Sequence, residues 1–87
     1  MTLNELRSAL QEILEIEERT IVDWPKAEAL CRRTRGQLSR QFPPDYTDEF
    51  VFVFLDDADL RREDKDYARI QHERLRNWLA GSEIISR

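Results

Sequence analysis

Two side chains of this sequence have the chemistry of a nucleophile and its base. The chain contains one cysteine, Cys31, and one histidine, His72. A thiol and an imidazole that meet in space can form a catalytic pair, with the histidine taking the proton. However, Cys31 follows Leu30 on an apolar stripe, where cysteine behaves as a small buried hydrophobic residue. His72 lies in a charged stretch that we expect to be solvated, so the pattern predicts no catalytic pair and no enzyme.

Carboxylates cluster at Asp56, Asp57 and Asp59, which is a composition suited to a hard cation. An EF-hand calcium loop beginning at Asp57 requires glycine at its sixth position and glutamate at its twelfth. Those positions hold Arg62 and Ala68. A structural zinc site needs about four cysteine or histidine ligands, and a chain with 2 glycines has no glycine-rich phosphate loop. We therefore expect no metal, no cofactor and no small-molecule substrate.

A basic patch at Arg32, Arg33 and Arg35 is the one feature that suggests nucleic acid. Residues 26–40 hold five cations and one acid. Affinity for nucleic acid comes largely from cations that neutralise phosphates, but no recognised reading motif accompanies these arginines. Arginine stems also cover apolar surface at the edge of a helix. A nucleic-acid-associated regulator is therefore a less favoured interpretation.

The opposite charge follows directly after Pro44. Residues 45–66 hold nine acids and three cations. Acidic side chains speed the encounter with a basic partner, and aromatic rings supply binding energy once the two proteins meet. The sequence therefore predicts a partner-binding acidic surface with aromatic anchors: Asp45, Asp48, Asp56, Asp57 and Asp59, with Tyr46 and Phe52.

These observations favour a non-enzymatic protein that acts through protein–protein contact. In one version it is a homodimer, in which the basic patch of each copy meets Asp56, Asp57 and Asp59 of the other across a two-fold axis. The alternative is an acidic inhibitor, or antitoxin-like protein, that masks a basic partner.

Composition limits the size and the location of the protein. The 87 residues are 40% hydrophobic and 37% charged, which is enough apolar material for one small domain and its core. The longest apolar run, residues 50–55, falls far short of the roughly 20 residues that cross a bilayer. No secretory signal pattern is present at the N-terminus. We expect a cytoplasmic protein with no membrane partner.

Two helices, over residues 2–19 and 24–41, are predicted to form a hairpin. Thr2 and Glu5 have the spacing of a capping box. Leucine and isoleucine side chains then recur at intervals of three and four, which is typical of one buried helical face. Pro25 suits the first turn of the second helix.

The segment 47–55 is ambiguous, because Phe50-Val51-Phe52-Val53-Phe54 has the composition of a strand. An isolated strand pair is marginal in water, whereas Thr47 suits a helix N-cap. A short buried helix with Tyr46, Phe50, Val53 and Phe54 on one face is favoured. A strand over 49–55, which would make the fold α+β, stays open.

The last predicted helix covers residues 58–80, with a break near Asp64–Asp66 and a stop at Gly81. Together these elements predict an all-α fold, a small bundle of three to four helices in a single domain spanning 1–87.

Overall fold

The structure, a computed structural model, describes residues 2–41 and 49–84, with side chains described as far as Ala80. Within these ranges the chain forms five helices and no strand. The bounds are α1 Leu3–Glu17, α2 Trp24–Arg40, α3 Phe50–Asp56, α4 Ala58–Glu63 and α5 Lys65–Ile84. The predicted all-α bundle is confirmed, and the alternative strand over 49–55 is wrong. None of the helices in the described ranges is both long and apolar enough to cross a membrane.

Helices α1 and α2 begin where the sequence predicts, because each has a capping side chain. The Thr2 hydroxyl accepts from the Glu5 amide at 3.1 Å, and the Thr2 amide donates to the Glu5 carboxylate at 2.8 Å. Asp23 accepts from the Lys26 amide at 3.2 Å, with Pro25 in the first turn of α2. These bonds satisfy amides that have no partner within the helix.

The core lies where α1 and α2 pack against each other and against the later helices. Leu6, Leu10 and Ile13 of α1 are fully buried, as is Leu38 of α2. The spacing of three and four residues places the three α1 side chains on one side of that helix. The predicted hairpin therefore packs through the predicted face of α1.

Helix α3 is the short buried helix, but its inner face differs from the predicted one. Phe50, Val51, Phe54 and Leu55 are buried, whereas Val53 is 47% exposed. Residues at spacings of three and four share a helical face, and the stripe that packs inward pairs Val51 with Leu55 beside Phe50 and Phe54. Val53 falls on the other side, so its predicted burial is wrong. The predicted cap Thr47 lies outside the described residues.

Asp64 breaks the predicted C-terminal helix into α4 and α5. Its backbone is extended, with φ of −128° and ψ of 105°. Its carboxylate accepts from the amides of Asp66 at 3.0 Å and Tyr67 at 3.1 Å, which caps α5. The predicted break is confirmed, but the predicted stop at Gly81 is wrong, since α5 continues to Ile84.

Candidate functional site

The most unusual feature of the bundle is a buried arginine. Arg61, on α4, is 1% exposed. A guanidinium carries five N–H donors, all of which need acceptors when water is excluded. Its Nε and Nη2 donate to the two oxygens of Glu17 at 2.7 and 2.9 Å, and Nη1 donates to Gln71 at 2.8 Å and to the Phe54 carbonyl. Nη2 also lies 3.5 Å from the Cys31 sulfur, so every donor is used.

Glu17 is the carboxylate of this pair, and its side chain has no exposed surface. It is also hydrogen-bonded to His72. The His72 Nε2 lies 2.8 Å from the Glu17 Oε1. Burial pushes the pKa of Glu17 upward, but hydrogen bonds and charge from His72 and Arg61 outweigh it, so this pKa lies below its ordinary value. Since Glu17 is ionised, Nε2 is the nitrogen that carries the proton in this bond.

The network continues from Gln71 toward the surface. The Gln71 amide donates to the Tyr67 hydroxyl at 3.0 Å and to Asp57 at 3.4 Å. The Tyr67 hydroxyl donates to Asp57 at 2.5 Å, and this bond raises the Tyr67 pKa. We call the whole set the Arg61 network, and it joins all five helices. Its members are Glu17 of α1, Cys31 of α2, Phe54 of α3, Asp57 between α3 and α4, Arg61 of α4, and Tyr67, Gln71 and His72 of α5.

The two groups with catalytic chemistry are both part of this network. His72 is 8% exposed, so the expectation that it is solvated is wrong. Burial raises the pKa of the Cys31 thiol to about 11, although the Arg61 charge opposes the rise. A thiol with such a pKa is protonated near neutral pH and is a weak nucleophile. Cys31 contacts Arg61, and His72 contacts Glu17, so each is bonded to one half of the buried ion pair.

The sequence contains a signal for this network that charge patterning hides. Glu17 lies three residues after Leu14, and therefore on the apolar stripe of α1. Gln71 lies four residues before Leu75 on the apolar stripe of α5. A polar residue on an apolar stripe must find a buried hydrogen-bonding partner. The pattern marks such positions but does not reveal that Arg61 joins them.

The structure brings two arginines of the predicted basic patch and part of the predicted acidic surface to the same side of one molecule. Arg35 Nε pairs with Asp56 at 3.1 Å, with both side chains partly exposed. The Arg35 guanidinium also lies 4.4 Å from the centre of the Phe52 ring, the predicted anchor. Arg32 and Asp59 line the same cleft of about 440 Å³ between α2 and the α3–α4 region.

The remaining predicted residues differ in their surroundings. Arg33 and Asp59 are exposed on α2 and α4. Asp57 is half-buried and belongs to the Arg61 network. Asp45, Tyr46 and Asp48 lie outside the described residues. Much of the predicted acidic surface that the structure describes is therefore already paired within the chain.

A second cleft, of about 450 Å³, opens beside the buried part of the network. The connection between α1 and α2 forms one wall, with Arg19, Val22 and Trp24, while α4 and α5 form the other. We call it the cationic cleft, because five of its exposed side chains are positively charged: Arg19, Arg62, Lys65, Arg69 and Arg76. Charge runs in the sequence do not predict it. The cations of α4 and α5 are interspersed with acidic residues, and Arg19 comes from a distant segment of the chain.

Among residues 2–41 and 49–84, no group of three or more histidine, cysteine, aspartate or glutamate side chains could hold a metal ion. Comparison with known families, with curated proteins and with solved structures found no match to this chain.

Proposed function

We propose that this protein is a non-enzymatic cytoplasmic protein that acts through protein–protein contact. The observation that supports this proposal is the use of its two reactive side chains. Cys31 and His72 are both bonded to the buried Arg61–Glu17 pair, where they hold helices together. The other charged side chains that line the two clefts are, by contrast, at least partly exposed, and charge at the surface speeds encounter with a partner.

The contact takes one of two forms, which differ in the surface used. In self-association, Arg32 and Arg33 of one copy face Asp59 of the other, since these three side chains are exposed on α2 and α4. In the inhibitor-like form, the acidic side alone receives a basic partner. The intramolecular Arg35–Asp56 pair weakens both forms, because it neutralises one charge from each patch.

The test combines light scattering over a range of protein concentrations with affinity capture from native lysate. Three proteins are compared: wild type, a basic-patch variant (Arg32→Glu with Arg33→Glu) and an acidic variant (Asp56→Lys with Asp59→Lys). Self-association predicts a mass that rises with concentration in wild type and falls back in both variants. An external basic partner predicts a captured protein that only the acidic variant loses. A constant monomer mass, with the same captured proteins for all three, would overturn the proposal.

A further inference from the structure

The cationic cleft has a positive charge that the described part of the chain does not compensate. Two acids line it, and both are already paired. Glu17 is paired with Arg61 and His72, and Glu18 with Arg76. The field in the cleft is therefore positive, although the protein as a whole has a formal net charge of −4.

Three of the five exposed cations have no acidic partner among the described residues. Arg62 pairs with Glu28 at 3.4 Å, and Arg76 with Glu18. Arg19, Lys65 and Arg69 form no such pair, and all three are exposed. Exposed cations held close together repel one another, and an anion placed between them removes that repulsion.

Three of these cations follow one face of α5. Lys65, Arg69 and Arg76 lie at intervals of four and seven residues, which is the spacing of a single helical face. At 1.5 Å per residue this row extends over roughly 16 Å. Arg19 lies on the opposite wall. A ligand with several anionic groups along its length matches this row better than a single small anion.

Apolar side chains border the same cleft. Val22 and Trp24 line its wall, and both are partly exposed. A partly exposed apolar side chain gains free energy when a partner covers it. A matching ligand therefore carries apolar side chains as well as negative charge.

We propose that the cationic cleft binds an acidic peptide segment of a partner protein, with carboxylates on Arg19, Lys65 and Arg69 and an apolar side chain against Val22 and Trp24. Arginine is suited to this role, because its planar fork binds carboxylates through two parallel hydrogen bonds. The inference rests on the proposed contact function and names the chemistry of the partner at this cleft.

Charge and size favour an acidic peptide over nucleic acid. A long polyanion extends beyond the cleft and is repelled by the negatively charged side chains on the rest of the protein. A short segment is attracted mainly by the cations of the cleft, because charges farther away than about 8 Å are screened at physiological ionic strength. The cleft volume of about 450 Å³ accommodates a few side chains but no duplex.

The experiment measures binding of a fluorescein-labelled peptide, in which glutamates flank a single leucine, by fluorescence anisotropy. Its matched probe has glutamine in place of every glutamate. The test variant is Lys65→Glu with Arg69→Glu, both exposed positions at which glutamate is compatible with a helix. The control is Lys26→Glu with Arg40→Glu, which changes the net charge equally at two exposed positions of α2 that do not line the cleft. Circular dichroism verifies that both variants keep their helix content.

We expect the glutamate peptide to bind wild type and the control alike, and the dissociation constant of the test variant to rise about tenfold or more, since two attractions become repulsions. Added salt weakens binding, and the glutamine peptide does not bind. Failure of the glutamate peptide to bind wild type, or equal losses in the test and control variants, would overturn the inference. The inference would also be overturned if a single-stranded oligothymidine of equal formal charge bound more strongly than the glutamate peptide, because that result would identify a nucleic acid site.

This outcome is separable from that of the proposed function. If a captured partner bound wild type and the double variant Lys65→Glu with Arg69→Glu equally well, that result would show that the cleft is not part of the contact surface. The proposed contact function would still be supported. A wild-type protein that binds the glutamate peptide through the cleft, yet captures no partner and stays monomeric, would remove the contact function and leave an acidic-peptide site.

Discussion

The Arg61 guanidinium and the Glu17 carboxylate meet at 2.7 Å in the interior of the bundle, and neither side chain has exposed surface. An ion pair in this position gains strong attraction but loses the hydration of both charges, so its net stabilisation is small. The loss of one partner is another matter, because the remaining charge stays buried without compensation.

Arg61→Met therefore tests the role of the buried pair. We expect the free energy of unfolding to fall by about 3–5 kcal/mol, because Glu17 loses the guanidinium that binds both of its oxygens inside the protein. Urea denaturation followed by circular dichroism measures the change. The neighbouring Arg62→Met is the control, since its pair with Glu28 is partly exposed and contributes at most about 1 kcal/mol. Equal losses in the two variants would show that Arg61 is not the residue that holds the bundle.

Acid is expected to destabilise the protein through Glu17. The pKa of Glu17 is lowered in the folded protein, so the unfolded chain takes up its proton first as the pH falls. Stability from this group is thus complete above the ordinary glutamate pKa and is lost as the pH falls through the folded pKa. Urea unfolding at a series of acidic pH values measures the slope.

Glu17→Gln should flatten this acid dependence while lowering stability near neutral pH. Glu5 provides the comparison, since hydrogen bonds from Thr2 lower its pKa as well, but at the exposed start of α1. Glu5→Gln should change the slope much less, because water screens the exposed group. A Glu17→Gln protein with the slope of wild type would show that the acid response arises elsewhere.

The Cys31 thiol should be unreactive in the folded protein. It is 1% exposed, and burial raises its pKa to about 11. We expect an aromatic disulfide reagent at mildly alkaline pH to modify the folded protein far more slowly than free glutathione. In denaturing urea, where the thiol is exposed, we expect the protein and glutathione to react at the same rate. Ser8→Cys in a Cys31→Ala background gives an exposed thiol on the same scaffold. If wild type reacted as fast as this control, the thiol would be accessible.

Asp64→Ala should weaken the junction between α4 and α5. The lost carboxylate accepts two amide hydrogen bonds at the start of α5, and a cap of this kind contributes about 1 kcal/mol. Thermal denaturation detects the change. The adjacent Glu63→Ala is the control, because an exposed glutamate in the last turn of a helix faces the negative end of its dipole. A melting temperature unchanged in both variants would contradict the capping role.

Local patterns predicted α1 and α2 well, because each begins with a capping side chain that can be read within a few residues. The Thr2–Glu5 box and the leucine spacing of α1 need no information from elsewhere in the chain. The break at Asp64 was predicted for the same reason. Helix α3 was the difficult case, since its apolar residues suit a strand as well as a helix, and only packing against the other helices selects between them.

The sites were predicted less well, because they depend on contacts between distant segments. Arg61 is one of two consecutive arginines in a charged stretch, and nothing nearby distinguishes the buried one from the exposed one. Its partner Glu17 lies 44 residues earlier in the chain. The cationic cleft has the same origin, since Arg19 and Arg69 come from opposite ends of the sequence.

The span of the Arg61 network has a consequence for how the bundle assembles. Helix α4 has six residues, too few to persist alone in water. Arg61 can shed its hydration only when α1 and α5 already present Glu17 and Gln71. A half-assembled chain would bury an uncompensated charge, so partly folded states are higher in free energy than either end state. We therefore expect folding to be all-or-none, with the packing of α4 against α1 and α5 among its last events. The buried charge of Arg61 thus makes the folding of the whole domain cooperative.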